Sequence, residues 1–310
     1  MEQPRYNRAA EDIGNIVDLG HVNTAVPDQG LATLFYVGGL GLTRDPFMMT
    51  STDNMWINVG QSQFHLPTAK PEVLRGVTGL VLPERQALLQ RLAALRSPLA
   101  GTRFDFREGN DGVETVSPWG NRIRCHAPDA DRFGPIQLGM GYVEFDVRPG
   151  TAAGIARFYR EVLQAQVDLL DNGNGRRARV TVGPRQYLDF HETDAAEAAY
   201  DGHHVQIEVA SFSGPHRRLK ELGLVSEESN QHQYRFRDIV NLDTRAVLFT
   251  IEHEVRSLQH PMHARVLVNR DPAQSAMSYR SGRDSLAWSG SSGRSRRCRR
   301  LRATPRGRRR

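Results

Sequence analysis

Cysteine is nearly absent from these 310 residues: Cys125 and Cys298 are the two that occur. That excludes a disulfide framework and any multi-cysteine zinc or iron–sulfur site. Long apolar runs are missing as well. None approaches the ~18 residues a membrane helix needs, and Met1 to Ala10 is polar, without the hydrophobic stretch of a secretory signal. The expectation is a cytoplasmic protein with no membrane span. No G-x-S-x-G elbow, Walker phosphate loop or H-E-x-x-H zinc motif occurs. Gly38-Gly39-Leu40-Gly41 follows a helical pattern instead of opening one, so it reads as a cap and turn. What remains is ordinary globular composition, 39% hydrophobic with 28 glycines, and a length that suits two domains.

Negative charge is scarce only at one end. Residues 281–310 hold eleven Arg, no Lys and one Asp, a local +10, so with a whole-chain net charge of +6 residues 1–280 carry −4. The body is mildly acidic, and the basic character belongs to a tail of Arg, Ser and Gly that has little to pack and is expected to be disordered. Arg294, Arg296, Arg297, Arg299, Arg300 and Arg308 to Arg310 could bind nucleic acid or another acidic surface. Only Trp288 could stack on a base, and no recognition motif accompanies the run. A solvated appendage, or an end translated out of frame, accounts for the same composition.

Two segments open and close alike. Each starts with a short alternating strand, LGHVNTAV at Leu19 to Val26 and MGYVEFDV at Met140 to Val147. A helix follows, announced by Pro27-Asp28 with Leu31, Leu34 and Phe35 at helical spacing, and in the second segment by Thr151 as a cap with Ile155, Phe158 and Val162 inward. Strands ending in GQSQFHLP and GPRQYLDFHE come next. The pattern then recurs within each segment, as VTGLVLP with ERQALLQRLAAL and as HHVQIEVAS with PHRRLKELGL, closing at SPWGNRIRC and TRAVLFTIEHEV. Corresponding positions lie 121 residues apart for His21 and Tyr142, and 124 for His65 and Asp189. The reading is an α+β chain of four βαβββ units, paired in sequence order into domains 17–128 and 138–258, with 259–310 as an extended segment and tail.

Period-2 geometry places Tyr142, Glu144 and Asp146 on one face of MGYVEFDV. It does the same for Asp189 and His191 in RQYLDFHE, for His204, Gln206 and Glu208 in HHVQIEV, and for Glu252 and Glu254 in FTIEHEV. A polar sheet face rich in oxygen and imidazole donors can be a metal site. It can equally be the solvated side of an antiparallel sheet.

GHVNTAVPD, then ATLFYVGGLGLTRDP, then SPWGNRI, with a second copy of the pattern after it, resembles the vicinal-oxygen-chelate superfamily, the glyoxalase/bleomycin-resistance/extradiol-dioxygenase group. The tandem pair is similar to the ring-cleaving extradiol enzymes. The resemblance implies curled, cup-shaped sheets with metal ligands on the first and last strands of each unit. Carried across, the second domain's ligand places are Tyr142, Asp189, His204 and Glu252. Asp189, His204 and Glu252 are then the expected ligands of one divalent ion, Fe2+ or Mn2+ ahead of Ni2+ or Zn2+. Tyr142 stands where extradiol enzymes have histidine, so it serves as a ligand or proton donor, and His191, two residues from Asp189, is the first choice of general base.

In the first domain, His21 and His65 share their cup with Val77 and Arg124. The resemblance therefore implies a silent domain there. The expected function is a metal-dependent enzyme, extradiol-dioxygenase-like, acting on a catechol, hydroxy-carbonyl or diketone. A glyoxalase-like isomerase or lyase and a metal-free small-molecule binding protein are the alternatives. A homo-oligomer is compatible with this reading, and nucleic acid enters only through the tail.

Overall fold

The computed structural model describes residues 6–48, 53–171, 173, 175–195 and 198–267. The Arg-rich tail, with the disorder and nucleic-acid role considered for it, lies outside the described residues. Four βαβββ units follow one another, as the repeat predicts.

The first unit holds β1 (Ile16–Asn23), α1 (Gln29–Ala32, widening into a π-helix over Thr33–Gly39), β2 (Thr43–Arg44), β3 (Asn54–Val59) and β4 (Ser62–Pro67). The second holds β5 (Gly76–Val81), α2 (Arg85–Ala94), β6 (Asp105–Gly109), β7 (Gly112–Val116) and β8 (Arg122–His126). A short α3 (Ala130–Phe133) leads to the third, with β9 (Gly139–Val147), α4 (Ala152–Val162), β10 (Val167–Asp171), β11 (Arg176–Gly183) and β12 (Gln186–Glu192). The fourth comprises β13 (His204–Val209), α5 (Ser213–Glu221), β14 (Val225–Asn230), β15 (Gln233–Val240) and β16 (Val247–Ser257).

Local chemistry sets the helix starts. Asp28 caps α1, its carboxylate accepting from the Leu31 amide at 2.9 Å. Thr151 does not cap α4: its hydroxyl turns back to the Arg148 carbonyl at 2.6 Å, and the Ala152 amide is taken by Glu192 from β12 at 2.8 Å. The wider π winding changes which residues face inward, burying Phe35 and Tyr36 and leaving Leu34 exposed.

The sheets do not follow the halves of the sequence. One eight-stranded sheet runs β14-β15-β16-β13-β1-β4-β3-β2, joining the fourth unit to the first, and the other runs β10-β11-β12-β9-β5-β8-β7-β6, joining the third to the second. Within each unit the first and last strands are parallel, and the units meet through antiparallel seams, β1 with β13 and β5 with β9. The expectation that residues 17–128 close one sheet and 138–258 the other is corrected here. Every unit offers the same kind of open edge on its first strand, so the repeat specifies the units without specifying their partners.

Helices and apolar sheet faces enclose one continuous core spanning both sheets. Phe145, Phe158, Tyr159, Phe190, Phe236 and Phe249 are fully buried in it, with Phe145 and Phe190 stacked at 5.2 Å. Gln186 ties the sheets together, accepting from the Leu19 amide at 3.2 Å and donating to Ser62 Oγ and the Met140 carbonyl at 3.1 and 3.0 Å. Glycine is required at the β5/β9 seam, where a Cβ on Gly76 would lie 1.7 Å from the Glu144 carbonyl oxygen.

Candidate metal centre

Pairing the first unit with the fourth assembles a donor set that neither half of the sequence contains. His21 on β1, His65 on β4 and His204 on β13 place one ring nitrogen each within 4.8 Å of one another. Strict alternation from Asp18 would turn His21 away from the cup. Two bulges in β1, between Ile16 and Asp18 and between Leu19 and His21, instead bring both Asp18 and His21 to the concave side. His21 Nε2 and His204 Nε2 face each other at 3.4 Å. Glu252 lies directly opposite His204 in the parallel β13/β16 register, with Oε1 3.7 Å from His204 Nδ1, and Glu254 Oε2 is 3.8 Å from His204 Nε2.

Surrounding residues fix these donors. His65 stacks on Trp56 at 4.0 Å and 14°, and its Nε2 meets Asn54 Oδ1 at 2.7 Å. Donation there leaves the Nδ1 lone pair free to ligate. Arg235 on β15 holds Glu252 at 2.6 Å and also binds Glu254. Burial, with Arg256 and Arg235 nearby, pushes His65 down to about 4 and holds His21 and His204 well below the ordinary imidazole range. The imidazoles are therefore neutral, the form that binds metals.

The donor chemistry fits a transition-metal ion. Two nitrogens at about 2.0–2.1 Å from one ion and subtending 90–110° lie roughly 3–3.4 Å apart, which is the His21–His204 separation. The carboxylates around this cup are paired much as in the other: Glu252 and Glu254 with Arg235, Glu254 also with Arg256, and Asp45 with Arg265, so the case for a cation rests on the imidazole donors.

The other cup is neutralised. Its carboxylates are matched to guanidiniums one for one: Asp146 to Arg122 at 2.6 Å, Glu114 to Arg124 at 3.3 Å, Glu144 to Arg177 at 3.1 Å and Asp189 to Arg179 at 2.8 Å. Asp189 is thus separated from His204 and Glu252, on the other sheet, and the expected Asp189–His204–Glu252 set is not brought together. Tyr142 stands in the same second cup, its hydroxyl 2.9 Å from His126 Nε2 and 3.4 Å from Arg124, with burial pushing the phenol up. His191 aligns with Asp146 across β9 and β12. Glu144, Asp146 and His191 do have donor atoms within 4.8 Å of one another, but their carboxylates are already spent on Arg177 and Arg122.

Two further histidines serve structure. His253 is buried in the core, stacked on Phe236 at 4.3 Å and paired with Tyr159 Oη at 2.6 Å. His203 pairs with Asp201 at 2.6 Å. Of the expected site residues, His204 and Glu252 share a cup. His21 and His65, set aside in the sequence reading, join them, and the signal that could have found them is their repeat relation to Tyr142 and Asp189.

No protein-family model matches the sequence, and a search among curated proteins finds no match. Solved structures do match. A putative dioxygenase from Bacillus subtilis is 14% identical, covering 79% of this chain and 86% of that one with a TM-score of 0.52. Glyoxalase I from Zea mays is 12% identical, covering 77% of this chain and 92% of that one with a TM-score of 0.51. The chain has the tandem vicinal-oxygen-chelate fold. In the terms of that fold, the first and last strands of the first and fourth units supply the donors of one cup, while Val77, Arg124, Tyr142 and Asp189 occupy the corresponding places of the other. Among the described residues no helix is long and apolar enough to cross a membrane.

Proposed function

We propose that this protein is a metal-dependent enzyme of the vicinal-oxygen-chelate type, with one divalent ion in the cup of the first and fourth units and an extradiol-dioxygenase-like reaction on a substrate bearing adjacent oxygens. One observation carries the reading: three neutral imidazoles converge in one cup, His21 facing His204 at 3.4 Å. His21, His65 and His204 would hold the ion, with Glu252 as the carboxylate. Three histidines and a carboxylate carry one imidazole more than the two-histidine-one-carboxylate set of Fe(II) oxygenases, and imidazole-rich donors suit Fe, Zn, Cu or Ni. A bound ion would supply Lewis acidity toward the two oxygens of a catechol or hydroxy-carbonyl.

The chain's own residues account for the rest. Arg235 orients Glu252 and Glu254, and the Trp56 stack with the Asn54 contact fixes the ring of His65. Gln206, one residue pair from the histidines, has a buried Nε2 with no hydrogen-bond partner among the described residues, a donor suited to a substrate oxygen.

A glyoxalase-like isomerase or lyase is the second reading. Glu254 favours it, because a second carboxylate 3.8 Å from His204 could take a proton from carbon next to a coordinated oxygen.

The test is elemental analysis of anaerobically purified or reconstituted protein, followed by oxygen uptake with catechols. About one metal per chain is expected, lost in His21→Ala and His204→Ala and kept in Asp189→Asn. Metal that survives His21→Ala, or none after reconstitution, overturns the reading. Oxygen uptake with a catechol supports ring cleavage, and proton exchange into a hydroxy-carbonyl without oxygen uptake supports the second reading.

A further inference from the structure

After β16 the chain turns back over the sheet that carries His21, His65 and His204, covering Asp18, Gln63, Gln206 and Glu208 beside them. Residues 258–267 make backbone hydrogen bonds only among themselves and with Ser257, at His260, His263 and Arg265. Among the described residues, none of their backbone hydrogen bonds reaches the rest of the sheets. Side chains do the holding. His263 pairs with Glu208 on β13, and Met262 Sδ accepts from Arg256 at 3.8 Å. Arg265 spans to Asp45, its two terminal nitrogens meeting both carboxylate oxygens, with its guanidinium 5.9 Å from the Phe47 ring centre. Leu267 is the one side chain of this stretch that is buried.

The receiving end is rigid. Asp45 is 1% exposed and is fixed by the Phe47 amide at 2.8 Å, the Met48 amide at 3.1 Å and Gln63 Nε2 at 2.8 Å. A half-open pocket of about 220 Å³ lies between the segment and the sheet. Asp18, Gln63, Gln206 and Glu208 form its floor, and Met262 to Arg265 with Leu267 form its roof. Gln63 and Gln206 are the register partners of His21 on either side, so the roofed space adjoins the histidines.

We propose that residues 258–267 are a tethered lid on this cup, latched by the Arg265–Asp45 ion pair and by the contact of His263 with Glu208, and that the lid swings out to admit a small molecule to the histidines. A roof held by one ion pair, one histidine–carboxylate contact and one buried apolar side chain opens without disturbing a single ladder hydrogen bond. The latch carries opposite charges in contact, so salt loosens it. The lid operates whether or not the histidines carry a metal, and the test below uses metal-free protein, so its result is separate from that of the metal reading.

The experiment is carbethoxylation of histidine by diethylpyrocarbonate on the full-length, metal-free chain, with rates resolved by peptide mass spectrometry. Neutral imidazoles react, so access limits the rate at His21 and His204. In His263→Ala/Arg265→Ala their labelling is expected to rise at least fivefold over the wild type. In the wild type it is expected to rise severalfold between about 50 mM and 0.5 M salt, and this salt response is expected to disappear in the double variant. His253, buried in the core on the opposite face, reports on unfolding and is expected to stay unlabelled. If His253 labels in step, the variant has lost its fold, and the salt response of the wild type alone decides. Rates at His21 and His204 that are indifferent to salt in the wild type, or unchanged in a folded double variant, overturn the lid.

Discussion

Asp18 and Glu208 face each other across the β1/β13 seam, two carboxyl groups under one roof. Burial, reinforced by Glu208 and opposed by His263, pushes the Asp18 carboxyl up to about 7 from an ordinary value near 3.8. The folded chain therefore keeps a proton that the unfolded chain has released, and stability contributed at low pH is lost as pH rises from about 4 through 7. Asp18→Asn removes that loss. The variant is expected to be more stable than the wild type at pH 8, by about 2 kcal/mol, and to converge with it near pH 4, as urea unfolding would measure.

The buried imidazoles act in the opposite sense. His21, His65, His204 and His253 are held below the ordinary value of 6.5, so the unfolded chain binds protons the folded one refuses, and stability falls as pH drops from 6.5 toward 4. Four such groups outweigh one Asp18, and the metal-free protein is expected to be most stable near pH 6–7; a maximum below pH 5 would contradict these burial effects. At this scale the sequence put His204 and Glu252 on the polar sides of their strands, because HVQIEV and FTIEHEV alternate polar with apolar residues up to His253. His21 was obscured, because bulges set its direction and the pairing of units set its neighbours, and no residue pattern in β1 announces either.

Among the elements, β12 shows how one strand can look like a site and serve as a brace. Asp189 sits with Arg179 at 2.9 and 2.8 Å and with Arg177 at 3.4 Å, and it is almost fully buried while both arginines stay partly in water. Removing its charge leaves Arg179 without its carboxylate while Arg177 keeps Glu144, which costs about 1–3 kcal/mol when the groups retain some solvent. Asp189→Asn is expected to lower the unfolding free energy by that amount, as urea unfolding would measure. The strands themselves were readable from alternation, and most helices from their apolar stripes. What was not readable is how elements finish one another: α4 begins on a carboxylate from β12, forty residues away, and α1 widens so that Tyr36 is buried in place of Leu34. Local propensity carries no information about contacts of that range.

For the whole molecule, the pairing of units decides what can exist alone. If the halves of the sequence were independent domains, residues 138–267 would fold and hold whatever metal their cup binds. In the observed topology that fragment has β9 and β13 as two open seams, since the partners β5 and β1 lie in the first half, and its His204 lacks His21 and His65. A long apolar seam left open is an aggregation edge, not a stable surface. Residues 1–127 and 128–310 expressed separately are therefore expected to be insoluble or unfolded. Expressed together, they are expected to co-purify as a one-to-one complex whose metal content matches that of the intact chain, because the break falls in the β8–β9 connection and cuts neither seam. Circular dichroism and elemental analysis of the fragments, alone and together, would read this out. A folded, metal-loaded 128–310 fragment would restore the sequence-order pairing and return Tyr142 and Asp189 to the site. A complex that folds only when both halves are present leaves the cup of the first and fourth units as the place where the histidines meet.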